Sequence, residues 1–128
     1  MRVLLDTHTF LWWNLDDPQL SAVARAVMAD GGNTLYLSAV VGWEIAIKAA
    51  KGRLTLPEPA DLYVTNRMNL HAFTAMPVEL SHALEVANLP PLHTDPFDRL
   101  LVAQARLEKL PILTADAAIG RYGVEVIW

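Results

Sequence analysis

Short apolar runs recur along the chain, each ending at a polar residue and followed by a helical stretch. No other feature constrains the fold more. Residues 2–5 (Arg-Val-Leu-Leu) read as a strand that stops at Asp6-Thr7, and residues 34–37 (Thr-Leu-Tyr-Leu) as a second that stops at Ser38. Residues 72–76, 111–114 and 124–127 supply three more candidates. Continuous apolar runs of this length suit strands covered on both faces, as in a parallel sheet. Helical patterns fill the intervals, over residues 8–14, 21–30, 40–51, 59–70, 79–87, 96–108 and, briefly, 117–120. Gly52 is placed to end the third of these. Strands alternating with helices predict an α/β fold in three layers, a central and mainly parallel sheet of four to five strands flanked by helices. No repeat, low-complexity tract or long linker interrupts the chain, so residues 1–128 are expected to form a single domain.

One helix start is marked more clearly than the others. In Asp95-Pro96-Phe97-Asp98-Arg99, Asp95 suits the N-cap, its side-chain oxygen accepting from a free backbone N–H. Pro96 follows at the first helical position, where its missing N–H costs nothing. Asp98 falls in the first turn, near the positive end of the helix dipole. The run Leu100-Leu101-Val102-Ala103 is too apolar for a helix that faces solvent. Asp98 therefore stands where a buried helix meets an open surface.

Three further acids are expected at the same edge. Ligands of open α/β sheets bind beyond the carboxyl ends of the strands. Asp6 follows the first strand, Asp116 follows the fourth, and Glu44 lies one turn into the helix after the second. Each acid has a plainer reading: Asp6 and Asp116 as helix caps, and Glu44 as half of an i,i+4 pair with Lys48. Such a pair is worth a few tenths of a kcal/mol, roughly, on a surface. Taken together, four carboxylates with no base between them repel strongly. A hard divalent cation relieves that repulsion, and an all-oxygen donor set suits Mg²⁺ or Mn²⁺. A site of this kind activates water and stabilises charge at a phosphodiester.

Composition narrows the alternatives. With 14 acids against 10 bases the net charge is −4, which argues against a protein that coats nucleic acid through general basicity. No cysteine is present, so disulfides, thiolate metal sites and thiol nucleophiles are excluded. No apolar run reaches the roughly 18 residues of a membrane span. Asp6 comes too early for a signal peptide, and a cytoplasmic location is expected. The 53% hydrophobic content is high enough to suggest a surface covered by a partner. Trp12, Trp13, Trp43 and Trp128 read as core or interface rather than base-stacking residues. The four histidines show no ligand spacing and read as structural. Lys48, Lys51, Arg53 and Arg99 are candidates for a basic rim that guides phosphates, with plain solvation as the alternative. Arg99 is favoured because it adjoins Asp98.

Four blocks together resemble the signature of PIN-domain proteins, and more narrowly of the VapC toxins of bacterial type II toxin–antitoxin pairs. They are Leu4-Leu5-Asp6-Thr7-His8, Trp43-Glu44-Ile45-Ala46-Ile47-Lys48, Asp95 to Ala105, and Leu113-Thr114-Ala115-Asp116. The resemblance extends to Tyr122-Gly123-Val124 and Ile127-Trp128, and so spans the chain, although residues 54–90 carry little of it. It implies a Mg²⁺-dependent endoribonuclease, with Mn²⁺ as an alternative ion. Its catalytic and metal-binding quartet falls on Asp6, Glu44, Asp98 and Asp116. Thr114 matches a supporting hydroxyl, Asp95 an accessory position, and Arg99 and Lys48 are the candidate RNA contacts. The resemblance further implies a homodimer and an antitoxin whose tail enters the acidic groove. Two rivals remain. A phosphatase of the haloacid dehalogenase type requires a second Asp two residues after the first, where His8 stands instead. A catalytically silent PIN module that only binds partners is opposed by the complete quartet.

Overall fold

The computed structural model describes residues 1–128. Five strands, β1 (Arg2–Leu5), β2 (Thr34–Ser38), β3 (Thr74–Met76), β4 (Ile112–Leu113) and β5 (Val126–Ile127), form one sheet in the order β3-β2-β1-β4-β5. Every neighbouring pair is parallel, with Leu4 opposite both Tyr36 and Ile112. Six α-helices lie between the strands: α1 (Thr7–Leu15), α2 (Ala22–Ala29), α3 (Ala39–Ala50), α4 (Ala60–His71), α5 (Leu80–Glu85) and α6 (Pro96–Glu108). Two 3₁₀ segments, Val86–Asn88 and Ala117–Tyr122, complete the set. No helix is long and apolar enough to cross a membrane.

The central strand shows why the sheet is parallel and sandwiched. Val3, Leu4 and Leu5 point alternately to opposite faces, yet none has any exposure. Both faces are therefore covered by helices. The same holds at β4, where Ile112 and Leu113 are fully buried. A single cluster of 26 buried residues joins these strands to α1, α3 and α6. Each fully buried aliphatic side chain contributes about 1.5–3 kcal/mol of transfer free energy.

The strand order places a switch point at the centre. From β1 the chain runs outward through β2 to β3, then returns past β1 to build β4 and β5. The connections leave β1 and β4 in opposite directions, and a crevice opens beyond their carboxyl ends. Asp6 and Thr114-Ala115-Asp116 lie at that crevice.

Two polar links, one of them buried, fix the helices that frame it. Gln104, with no exposure, accepts the Ser38 hydroxyl at 2.5 Å and donates to the Pro77 carbonyl at 3.1 Å. The Ser38 oxygen also accepts the Val40 N–H, capping α3. Helix α6 is thereby tied to the start of the helix that carries Glu44. Arg99 supplies the second link, donating to the carbonyls of Val86, Leu89 and Pro90 at 2.9–3.4 Å.

Several element boundaries differ from the sequence expectation. The third strand starts at Thr74 rather than residue 72, because Ala72 takes a left-handed conformation (φ 56°) to end α4. The helix expected over 79–87 divides after Glu85, where a 3₁₀ turn takes over. The last strand spans two residues rather than four, since Gly123 (φ 82°) still turns the chain before it. Lys51 caps α3, and Gly52 follows it at φ 70°.

Candidate active site

Each acid reaches the crevice for a local reason. Asp6 ends β1 and caps α1, with Oδ1 accepting the Thr9 N–H at 2.8 Å. Its Oδ2 accepts the hydroxyl of Thr114, a buried residue, at 2.5 Å. The Thr114 oxygen in turn accepts the Asp116 N–H at 3.1 Å, so one hydroxyl links two of the acids. Asp116 caps the 3₁₀ segment through Oδ1 and the Ala118 N–H at 3.0 Å. Asp95 caps α6, accepting from the N–H groups of Phe97 and Asp98. Pro96 occupies the first turn, as its fixed φ favours.

Glu44 is the deeply buried member, only 5% exposed. Its Oε1 accepts the Thr7 hydroxyl at 2.6 Å, and its Oε2 pairs with Lys48. Asp98, in the first turn of α6, is partly buried and accepts no hydrogen bond from the chain. Together Asp6, Glu44, Asp95, Asp98 and Asp116 line a pocket of about 180 Å³, with Thr7, His8 and Lys48 and no apolar side chain.

The electrostatic load falls on Asp98. Burial pushes its carboxyl up to about 6, with the charges of Asp95, Glu44 and Asp6 adding to the effect and His93 opposing it. The other acids each have a hydroxyl, an ammonium, a ring nitrogen or a capping N–H for company. A half-buried carboxyl without a donor, raised by its acidic neighbours, marks a place where positive charge is missing. The carboxylates lining the pocket offer hard oxygens, and carboxylate oxygens of Asp98 and Asp116 lie within 4.8 Å of each other. Ligands around an octahedral Mg²⁺ stand roughly 3–4 Å apart. The residues therefore fit a small divalent cation.

The structure brings the quartet together, with Asp95 and Thr114 beside it. It also corrects three expectations. A base does intervene among the acids: Lys48 lines the pocket and neutralises Glu44. Arg99 is engaged with three backbone carbonyls of 86–90 and does not line the pocket. The histidines divide. His71 packs on Phe73 and His82 is buried, but His8 lines the pocket and His93 contacts Asp116 at 2.9 Å. Spacing gave no signal for His93, whose partners Asp116 and Tyr122 are 23 and 29 residues away. Trp12, Trp13 and Trp128 pack against the core, whereas Trp43 is 51% exposed and meets only the edge of Phe97 among the aromatics.

A five-stranded parallel α/β sheet with a carboxylate cluster at its switch point defines a narrow class. The chain belongs to the PIN-domain family, whose model matches residues 3–125. It is similar to the ribonuclease VapC16 of Mycobacterium tuberculosis, 39% identical over 69 residues. That match covers 51% of this chain and 49% of VapC16, so the chain spans about half the length of this curated relative. In fold it is similar to VapBC2 of Rickettsia felis, whose structure was solved bound to a DNA fragment from their promoter. There the TM-score is 0.71 and the identity 14%, over 98% of this chain and 97% of the other. FitAcB of Neisseria gonorrhoeae has a TM-score of 0.65 and 22% identity over 97% and 95% of the two chains.

Proposed function

We propose that the chain is a single-domain endoribonuclease that hydrolyses RNA phosphodiester bonds with Mg²⁺, or Mn²⁺ in its place. We assign it to the toxin half of a type II toxin–antitoxin pair. One observation carries the reading: five carboxylates share a pocket free of apolar side chains, and Asp98 among them has no donor. The relatives support it, since one is named a ribonuclease and a structure of the same fold is a toxin–antitoxin complex from Klebsiella pneumoniae.

Asp6, Asp98 and Asp116 are the residues to hold a divalent cation, with Glu44 as the fourth. When bound, the cation supplies Lewis acidity at the phosphate and makes water a better nucleophile. Glu44 is fixed by Thr7 and Lys48, so its carboxylate is set to orient the attacking water. Thr114 keeps Asp6 and Asp116 in mutual register. Asp95 fixes the first turn of α6 and so aims Asp98. Lys48 provides the positive charge nearest the crevice for an incoming phosphate.

The partners follow from the same charge argument. An antitoxin that places a cationic side chain in the pocket offsets the load on Asp98 and excludes the metal. Exposed Trp43, which shares a shallow pocket with Ala83, Val86 and Leu100, fits a surface covered in a homodimer. The assignment implies a cytoplasmic protein. The test is cleavage of a mixed RNA substrate by the purified chain with Mg²⁺, with EDTA, and by Asp6→Asn and Asp98→Asn. Cleavage is expected only for the parent with metal. Folded variants that cleave as fast as the parent would sink the proposal. Metal binding without cleavage would instead identify a silent module.

A further inference from the structure

We propose that His93 is a positioning residue that holds Asp116 for the metal, and that Tyr122 holds His93; this role rests on the metal-site reading above. His93 lies in the segment leading into α6, its side chain 15% exposed. Its Nδ1 is 2.8 Å from the Tyr122 hydroxyl and its Nε2 is 2.9 Å from Asp116 Oδ2. The imidazole also packs on the Tyr122 ring, with centroids 5.3 Å apart. Tyr122 is 6% exposed and ends the 3₁₀ segment that Asp116 caps. His93 thus bridges the two ends of one short element.

The hydrogen-bond roles follow from the partners. An ionised carboxylate has no proton to give, so Nε2 must carry the hydrogen at the Asp116 contact. Nδ1 then accepts from the Tyr122 O–H when the ring is neutral and donates to the Tyr122 oxygen when the ring is charged, and the contact stands in both forms. Asp116 receives one donor on each oxygen, Ala118 N–H on Oδ1 and His93 on Oδ2. Its remaining lone pairs are left for a cation. Without His93 the side chain, 43% exposed, keeps only the capping bond and turns about it.

The competing role is direct ligation. A ring nitrogen of His93 does lie within 4.8 Å of ligand oxygens of Asp98 and Asp116. Both ring nitrogens are nevertheless engaged, one with Tyr122 and one with Asp116, and His93 does not line the pocket. No lone pair faces the crevice. The arrangement is that of an outer partner fixing a carboxylate, a type of contact whose loss costs about 10–100-fold in metal affinity.

The experiment is a Mn²⁺ titration followed by electron paramagnetic resonance on the full chain. Parent, His93→Ala, His93→Gln and Tyr122→Phe are compared, with folding checked by circular dichroism. The Gln amide reaches the position of Nε2–H, whereas Ala does not. The expected result is about tenfold weaker binding for His93→Ala. His93→Gln should recover much of the loss, Tyr122→Phe should fall between, and the parent spectrum should carry no coupling from a directly bound imidazole nitrogen. A folded His93→Ala that binds as tightly as the parent overturns the proposal. So does a nitrogen coupling that disappears in that variant, because His93 is then a ligand. A His93→Gln variant no better than His93→Ala also overturns it. A parent that binds no Mn²⁺ refutes the underlying metal site, a failure distinct from these.

Discussion

Asp98→Asn should make the metal-free protein more stable while removing its use for metal. The Asp98 carboxyl is raised from 3.8 to about 6, first by burial and then by Asp95, Glu44 and Asp6. Between those values the folded state keeps a proton that the unfolded chain has released. Stability therefore falls as pH rises through the window, and the whole penalty is present above about pH 6. At about 1.4 kcal/mol per pH unit the gap corresponds to about 3 kcal/mol. Asp98 keeps some contact with solvent, which screens the repulsion and reduces the figure to about 1–3 kcal/mol. Asparagine is close in shape and carries no charge, so the variant should recover that amount. For a domain of this length the gain is roughly 3–10 °C in Tm.

Calorimetry in EDTA at pH 7.5 and near pH 4 provides the assay. The variant should melt higher at pH 7.5, and the difference should shrink towards pH 4, where Asp98 regains its proton. Added Mg²⁺ should then raise the parent by mass action and move the variant much less. An Asp98→Asn protein that melts at or below the parent at pH 7.5 in EDTA would refute the reasoning. The carboxylate would then be stabilised by something other than the cation it lacks.

Two further substitutions separate scaffold from site. Arg99→Ala removes three hydrogen bonds to the carbonyls of Val86, Leu89 and Pro90. It should cost about 2 kcal/mol in urea unfolding while Mg²⁺ affinity by calorimetry stays near that of the parent. Gln104→Leu strands the Ser38 hydroxyl and the Pro77 carbonyl in the interior. It should cost about 2–3 kcal/mol in guanidinium unfolding.

The fold class was legible because burial writes itself into composition. A central parallel strand needs apolar residues on both faces, and residues 3–5 have them. Helix caps were legible for the same local reason: Asp95-Pro96 at the start of α6 behaves as its sequence dictates. What escaped depended on distance or context. The left-handed Ala72 carries no glycine or asparagine to announce it. Glu44 and Lys48 have the spacing of a surface pair, yet packing of α1, α4 and α6 around α3 leaves Glu44 5% exposed. The i,i+4 pattern is the same in either setting, so only tertiary packing distinguishes them. Arg99 adjoins Asp98 in sequence, but consecutive helical residues point about 100° apart, and its guanidinium finds the 86–90 carbonyls instead. The strand order, which makes a site of scattered acids, is a property of pairing that no single stretch encodes.

Capping and ligation turn out to be one device here rather than competing explanations of the same residues. Asp6, Asp95 and Asp116 each spend an oxygen on a backbone N–H and line the pocket with what is left. A carboxylate held by its own helix start cannot swing away without uncapping that helix, so the donors are ordered before a cation arrives. The capped ends also direct the positive poles of α1 and α6 at the crevice, which offsets part of the mutual repulsion of the acids. Glu44 reaches a similar state through Thr7 and Lys48. Asp98 alone lacks a cap, a hydroxyl or a base, and its carboxyl is pushed up to about 6. The fold has supplied compensation for every carboxylate but one, and that one stands where the positive charge of a bound cation is needed.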